Sequence, residues 1–135
     1  MAEDGATVDV TKIEISPNPA PIGAELNMEI EFTTSENIPD AHWEVRYTVD
    51  MTATRHIVEV GSSETVSYEA GARSMKFHAA GIELEGIKKS WLNNVGLLLA
   101  VLIGKDSAEI VQVSMVTQVS KTPDGLQRLI ISPLD

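Results

Sequence analysis

Hydrophobic and polar residues alternate along much of this chain with a period of two, which is typical of half-buried strands. The alternation is clearest in residues 26–32 and 43–49, where large apolar side chains alternate with Asn, Glu, Arg and Thr. In each segment one face is therefore expected to pack in a core, and the other to meet water.

Further segments have the composition of strands: residues 8–15, 56–60, 65–69, 74–79, 109–119 and 126–131. Residues 95–103 are apolar on both faces, which predicts a central strand covered from both sides. Three prolines and a glycine in residues 16–23 predict an ordered turn, because proline interrupts helices and central strands. Residues 122–125 (TPDG) predict a turn before the last strand.

Helical periodicity is weak, and only residues 87–92 allow one short helical turn. Many short strands separated by turns, without alternating helices, predict an all-β fold: an immunoglobulin-like antiparallel β-sandwich with at most one short helical turn. The chain of 135 residues suits a single domain. We expect this domain to span residues 8–135, after a disordered start at residues 1–7.

Charge is distributed unevenly along the chain, whose net charge is −10. Residues 1–50 contain eleven acidic residues against Lys12 and Arg46, whereas the rest of the chain is nearly balanced. An acidic half repels phosphate groups, so we expect no direct binding of nucleic acid. It would attract a basic protein, and the alternative is that the acids form a solvated surface.

The sequence offers no constellation of residues that would carry catalysis. It has no cysteine, no glycine-rich phosphate loop and no serine in a nucleophile elbow. The histidines are not at metal-motif spacings, and His42 and His78 alternate with core residues, so both should face solvent. We therefore expect no enzyme activity, no cofactor and no metal.

The chain shows no signal for secretion or for crossing a membrane. Its N-terminus is acidic where a signal peptide would be basic and then apolar. The longest apolar run, residues 95–103, is less than half of the roughly 20 residues that a spanning helix needs. We expect no membrane span and an intracellular location, nuclear or cytoplasmic or both.

One strand carries a candidate binding surface. Val111, Val113 and Met115 share one side of residues 109–119, and the opposite side is more polar. This apolar row is either part of the core or exposed on a concave sheet, where it would need a partner.

Several short motifs follow one another in a recognisable order. They are SPNP at residues 16–19, EIEF at 29–32, DAHWEVRYTV at 40–49, Gly71 with the following Met75 and Phe77, the apolar residues 95–102 and EIVQV at 109–113. This order, over residues 8–132, resembles the anti-silencing-function family of histone chaperones. The family's Val-Gly-Pro-Val-Pro turn is replaced here by residues 64–71, and its Val-Asn-Asn-Glu-Tyr segment by residues 117–121. The chain therefore resembles a divergent relative of this family.

The resemblance implies an elongated immunoglobulin-like sandwich with two protein-binding surfaces. A histone-binding patch would lie at Val113, with Val111 and Met115 alongside. Basic peptides of partner chaperones would dock at a second surface, at Asp40 together with Glu36. In that family the C-terminal strand receives a histone tail by β-addition, and residues 126–131 would be its counterpart.

The leading hypothesis is a non-enzymatic protein-binding module, chaperone- or adaptor-like. It would bind histones or another basic protein through an acidic face and an apolar strand. Two alternatives stay open. One is a carrier that holds a lipid or another hydrophobic ligand within the sandwich, and the other is a structural adaptor in a cytoskeletal or ciliary assembly.

Overall fold

The computed structural model of the chain describes residues 7–50, 55–82 and 96–134. Every regular element in these ranges is a strand. The strands are β1 (Val8–Ser16), β2 (Ala20–Pro21), β3 (Leu26–Thr34), β4 (Ile38–Asp50), β5 (Arg55–Ser62), β6 (Val66–Tyr68), β7 (Gly71–Ala79), β8 (Gly96–Ile103), β9 (Glu109–Thr122) and β10 (Gly125–Ile130).

The strands form two sheets in which all pairings are antiparallel. The smaller sheet has the order β1-β3-β7, and the larger has the order β2-β10-β9-β8-β4-β5, with β6 paired to β4. The prediction of an all-β, immunoglobulin-like antiparallel sandwich is confirmed. The short helical turn at residues 87–92 and the first six residues of the expected disordered start lie outside the described residues.

The predicted alternation places the core between the sheets. In β3, Leu26, Met28 and Ile30 are at most 2% exposed, while the intervening polar side chains are only half-buried. β4 faces them with Trp43 and Val45, both fully buried. The period of two in the sequence therefore corresponds to one buried and one outward face of each strand.

An aromatic cluster fills one part of this core. The ring of Phe32 meets Trp43 edge to face, with centroids 5.6 Å apart, and meets Tyr68 in the same way at 5.1 Å. Such pairs stabilise a core by about 0.5–1.5 kcal/mol each beyond the area they bury. They join β3 of the smaller sheet to β4 and β6.

The proline-rich segment at residues 16–23 forms the ordered turn that was predicted, and it also contributes the short edge strand β2. Asn18 fixes it to β10, because its Nδ2 donates to the carbonyl of Ile130 at 2.9 Å and its Oδ1 accepts from the Ile130 amide at 3.0 Å. Proline is tolerated here because an edge strand has one unpaired side. Among the described residues, no helix is long and apolar enough to cross a membrane.

Candidate protein-binding surfaces

The larger sheet has a surface that faces away from the smaller sheet, termed here the outer face. Register places Thr48 of β4 beside Leu97 of β8, and Leu97 beside Val116 of β9. Ile57 of β5 lies opposite Thr48, and the amide of Ile131 donates to the carbonyl of Val116 at 2.9 Å. These five residues form one cross-strand line, termed the apolar row.

The apolar row is accessible at both ends and at Val116, but Thr48, between Ile57 and Leu97, is polar and only 4% exposed, so it interrupts the row. Ile57 is 51% exposed, Val116 42% and Ile131 38%, and Leu97 is half-buried. The row crosses five neighbouring strands, which corresponds to about 19 Å at the usual strand spacing. A helix of about 13 residues has the same length. Leu97, Val116 and Ile131 are the contiguous part of the row, and contiguous exposed apolar side chains mark surfaces that bind partners.

A charged cluster lies beside the apolar row on the same face. Arg46 donates to Glu44, its Nε lies 3.7 Å from a carboxylate oxygen of Glu59, and its Nη1 lies 4.0 Å from one of Glu109. His42 Nε2 lies 3.0 Å from the other oxygen of Glu44. We term these five residues the Arg46 network. Three carboxylates around one guanidinium leave the network negative when His42 is neutral.

Hydrogen bonds hold Glu44 in its charged form. The bond with His42, and next the bond from Arg46, keep the pKa of Glu44 below its usual value, and partial burial opposes them. The side chains of Glu44 and Arg46 are only 25% and 23% exposed. Glu59 and Glu109, at 70% and 55%, are the members that a partner can reach.

Val111, Val113 and Met115, the β9 residues that the sequence indicated as a candidate binding surface, lie on the opposite, inner face. Met115 is 0% exposed and Val113 6%, and Val111 is half-buried. Of the two alternatives for these residues, core or exposed surface, the structure shows core for Met115 and Val113, because the smaller sheet covers this face of β9. The outward side chains are those at the alternate positions, Ser114 and Val116 among them.

Val111 and Val113 nevertheless reach a groove at the side of the sandwich. This β1–β9 groove, of about 410 Å³, lies between β1 and β9 and is lined by Val8, Asp9, Val10, Ile13, Val111, Gln112, Val113, Ser114, Pro133 and Leu134. Its lining is mainly apolar. It therefore leaves two of the three predicted β9 residues within reach of a partner's side chain.

Along residues 109–115, β9, which borders this groove, pairs with β8 but with no second strand of the described ranges. β10 pairs with β9 at residues 117–122, and the next bond joins Ile131 to Val116. Backbone groups alternate in direction along an antiparallel strand, so the amides and carbonyls of Gln112 and Ser114 point to the same side as those of Val116. No strand in the described part of the chain pairs with that side of residues 109–115, termed the half-edge of β9.

Asp40 and Glu36 lie together in sequence but apart from the β1–β9 groove, to whose lining neither contributes. Both are exposed. Asp40 has a φ of 50°, and its amide donates to Ser67 Oγ of β6 at 3.1 Å. Glu36 lies in the turn before β4, where its carbonyl accepts from Thr34 Oγ1 at 2.8 Å. The structure thus places the two predicted surfaces on different elements.

A cleft of about 900 Å³ opens on the other side of the sandwich, between β7 and the β5–β6 segment. Hydroxyl groups such as Ser62 and Ser67 line it with charges of both signs, Glu64 and Arg73 among them. Like the β1–β9 groove, it lies along strand edges and opens to solvent. A lipid carrier would instead use an enclosed apolar chamber between the sheets.

His42 and His78, which were both predicted to face solvent, differ in how exposed their side chains are. His78 is exposed as predicted, 3.6 Å from a carboxylate oxygen of Glu25. His42 is on the outward side of β4, but its contact with Glu44 leaves its side chain only 27% exposed. The side chain of His56 lies outside the described residues. Within the described ranges, no group of three His, Cys, Asp or Glu side chains is placed to hold a metal ion.

Sequence reasoning missed the apolar row of the outer face. Its signal was present, since residues 95–103 are apolar on both faces, but the pattern was interpreted as a strand covered twice. That interpretation is right at Val101, which lies beside Glu44 on the outer face and is 0% exposed. The structure buries Leu98 and Leu102 on the inner face and leaves Leu97 and Leu99 half-buried on the outer face.

A scan of protein-family models and a search of curated proteins each gave no match to the chain.

Proposed function

We propose that this protein is a non-enzymatic protein-binding module, chaperone- or adaptor-like, that binds a basic, amphipathic segment of a partner on its outer face. The observation that carries the proposal is the exposed apolar row beside the negatively charged Arg46 network. The resemblance to histone chaperones makes histones the first partner to test.

The apolar row supplies the driving force for binding. Ile57, Val116 and Ile131 expose between 38% and 51% of their surface, and covering that surface removes apolar area from water. The row runs across the strands, so a helix lying along it would contact Leu97, Val116 and Ile131 in turn and would reach Ile57 beyond the buried Thr48. This geometry fits an amphipathic helix with one apolar stripe.

The Arg46 network supplies the charge preference. Its accessible carboxylates, Glu59 and Glu109, leave the cluster negative, and the whole chain has a net charge of −10. Lys or Arg on the partner, placed beside its apolar stripe, would meet these carboxylates. Such contacts speed association and select the partner more than they raise affinity.

A second contact is available for an extended segment of the same partner. An added strand would bond to the free backbone groups of the half-edge of β9 and place alternate apolar side chains in the β1–β9 groove. Val111 and Val113 would act in binding through this groove. In the family that the sequence resembles, a histone tail is received by β-addition at the C-terminal strand.

The test is a titration of the chain with purified histones at low ionic strength, where attraction between opposite charges is strongest. Val116→Arg is expected to weaken binding by about tenfold or more, as loss of an interface anchor does. Val66→Arg is the matched control, since Val66 is 40% exposed against 42% for Val116 but lies on β6. It should bind like the wild type.

Two results would count against the proposal. Absence of histone binding at low ionic strength would remove histones as the partner. Equal binding by Val116→Arg and the wild type would remove the outer face as the site.

A structural adaptor in a larger assembly is the second candidate, and the half-edge of β9 favours it, because an unpaired strand edge can join another chain. Affinity purification from the native cell followed by mass spectrometry separates the two. A basic client protein supports the chaperone-like function, and a stable set of assembly subunits supports the adaptor.

A further inference from the structure

The pairing of β10 with β9 stops where the chain could have continued it. The last bond runs from the amide of Ile131 to the carbonyl of Val116, at 2.9 Å. The chain then turns, and the amide of Leu134 bonds to Ser132 Oγ at 3.2 Å. Among the strands of the described ranges, none pairs with half of β9 on this side, although three more described residues follow Ile131.

The register explains why the ladder ends here. Ile131 lies opposite Val116, so continued antiparallel pairing would place residue 133 opposite Ser114. This would be a hydrogen-bonded pair, in which each residue donates its amide to the other's carbonyl. Residue 133 is proline, which has no amide hydrogen to donate. Of the two bonds of this pair, the one from residue 133 to the Ser114 carbonyl therefore cannot form, and the pair loses half of its hydrogen bonding.

We propose that Pro133 is a positioning residue that ends β10 and so keeps the half-edge of β9 open for an extended, apolar-alternating strand of the partner. This inference rests on the proposed function. Pro133 and Leu134 turn toward the β1–β9 groove and contribute to its lining, with Leu134 45% exposed. The chain thus passes the half-edge without pairing to it.

The edges at β1 and β2 carry features that discourage pairing, whereas the half-edge of β9 has only an irregularity near Ile110 and the charge of Glu109, both at its far end from Ser114. β1 has an irregularity between Val10 and Lys12, with Lys12 exposed, and β2 is two residues long and contains Pro21. Lysines, prolines and bulges of this kind protect natural sheet edges. Residues 109–115 contain no lysine, arginine or proline. Pro133, outside the edge strand, accounts for the failure of residues 132–134 to pair with this edge.

The consequence is tested without any partner by amide hydrogen exchange. Pro133→Ala restores the missing amide, so residues 132–134 should pair with β9, and exchange at Ser114 should slow by about tenfold. Leu134→Ala is the control, because it removes an apolar contact in the groove and restores no amide. It should leave exchange at Ser114 unchanged. Unchanged exchange in Pro133→Ala would overturn the proposal.

A histone titration of the same variants tests the role in binding. Closing the half-edge should weaken binding by Pro133→Ala about fivefold or more, a loss of roughly 1 kcal/mol. If exchange at Ser114 slows but histones bind as before, the half-edge is not a docking site and the proposal is overturned. The outer face would still stand or fall separately, by the result for Val116→Arg.

Discussion

Two buried polar side chains hold one end of the sandwich. Arg128 is 1% exposed and donates from Nη1 to the carbonyls of Ile22 and Ala24, at 3.2 and 3.0 Å, and from Nη2 to that of Glu25 at 2.6 Å. Burial lowers the pKa of Arg128, and the nearby Tyr47 opposes the shift. Tyr47, 2% exposed, is the second such side chain. Arg128 connects β10 to the segment between β2 and β3 through polar contacts that no strand pattern encodes.

Replacing Arg128 should expose the dependence of this end on one side chain. Arg128→Met removes three hydrogen bonds and leaves their carbonyls without these donors, so the free energy of unfolding should fall by about 3 kcal/mol. Arg73→Met is the control, since Arg73 is exposed and its loss should change stability by less than about 0.5 kcal/mol. Urea unfolding measures both. Equal stability of the two variants would contradict the assigned role of Arg128.

Tyr47 should make the fold sensitive to alkali. Burial raises its pKa to about 12, with Arg128 opposing the shift weakly. The unfolded tyrosine ionises near pH 10, so this contribution to stability is complete below pH 10 and is lost as pH rises toward about 12. Absorbance of tyrosinate against pH should show the late transition, and Tyr47→Phe should remove it. Burial also raises the pKa of Tyr68, so a transition that persists in Tyr47→Phe near pH 12 would assign it to Tyr68.

At the scale of elements, sequence alternation was sufficient to predict which face of a strand is buried wherever one face is apolar and the other polar. β3 and β4 follow the predicted pattern because their polar positions admit only one orientation toward a core. β8 lacks that information. All its side chains are apolar or small, so either face satisfied the pattern, and only the position of the smaller sheet decides that Leu98 is buried while Leu97 is partly exposed.

The start of β8 depends on a close approach that only glycine allows. A Cβ on Gly96 would lie 2.9 Å from the carbonyl oxygen of Thr48 and closer still to the Tyr47 hydroxyl. Gly96→Ala should therefore destabilise the fold by about 2 kcal/mol through overpacking. Gly104→Ala is the control, since its nearest contact is the flexible end of Ile110 at 3.1 Å. Thermal unfolding compares them, and a harmless Gly96→Ala would mean that β4 and β8 can separate slightly at no cost.

At the scale of the whole molecule, the candidate surfaces depend on which strands meet across the two sheets. The sequence predicted the residues Asp40, Glu36, Val111, Val113 and Met115 from one strand pattern and one resemblance. It left open whether Met115 is buried or exposed, and it could not predict that β10 stops after half of β9, because both facts depend on pairings between residues distant in sequence. The Arg46 network is of the same kind, since it joins side chains of β4, β5 and β9.

The acidic composition raises a question that only the whole molecule answers: whether a basic partner senses total charge or the Arg46 network. Glu109→Lys and Glu14→Lys change the net charge equally, but Glu109 is in the network and Glu14 is on β1 of the smaller sheet. Charges more than about 10 Å apart are largely screened at 0.1 M salt. At that ionic strength Glu109→Lys should weaken histone binding by about fivefold, and Glu14→Lys by less than about twofold. At lower ionic strength the two should converge as long-range attraction grows. Equal losses at 0.1 M salt would mean that the partner is held by net charge alone, and the acidic side of the outer face would then have no part in selecting it.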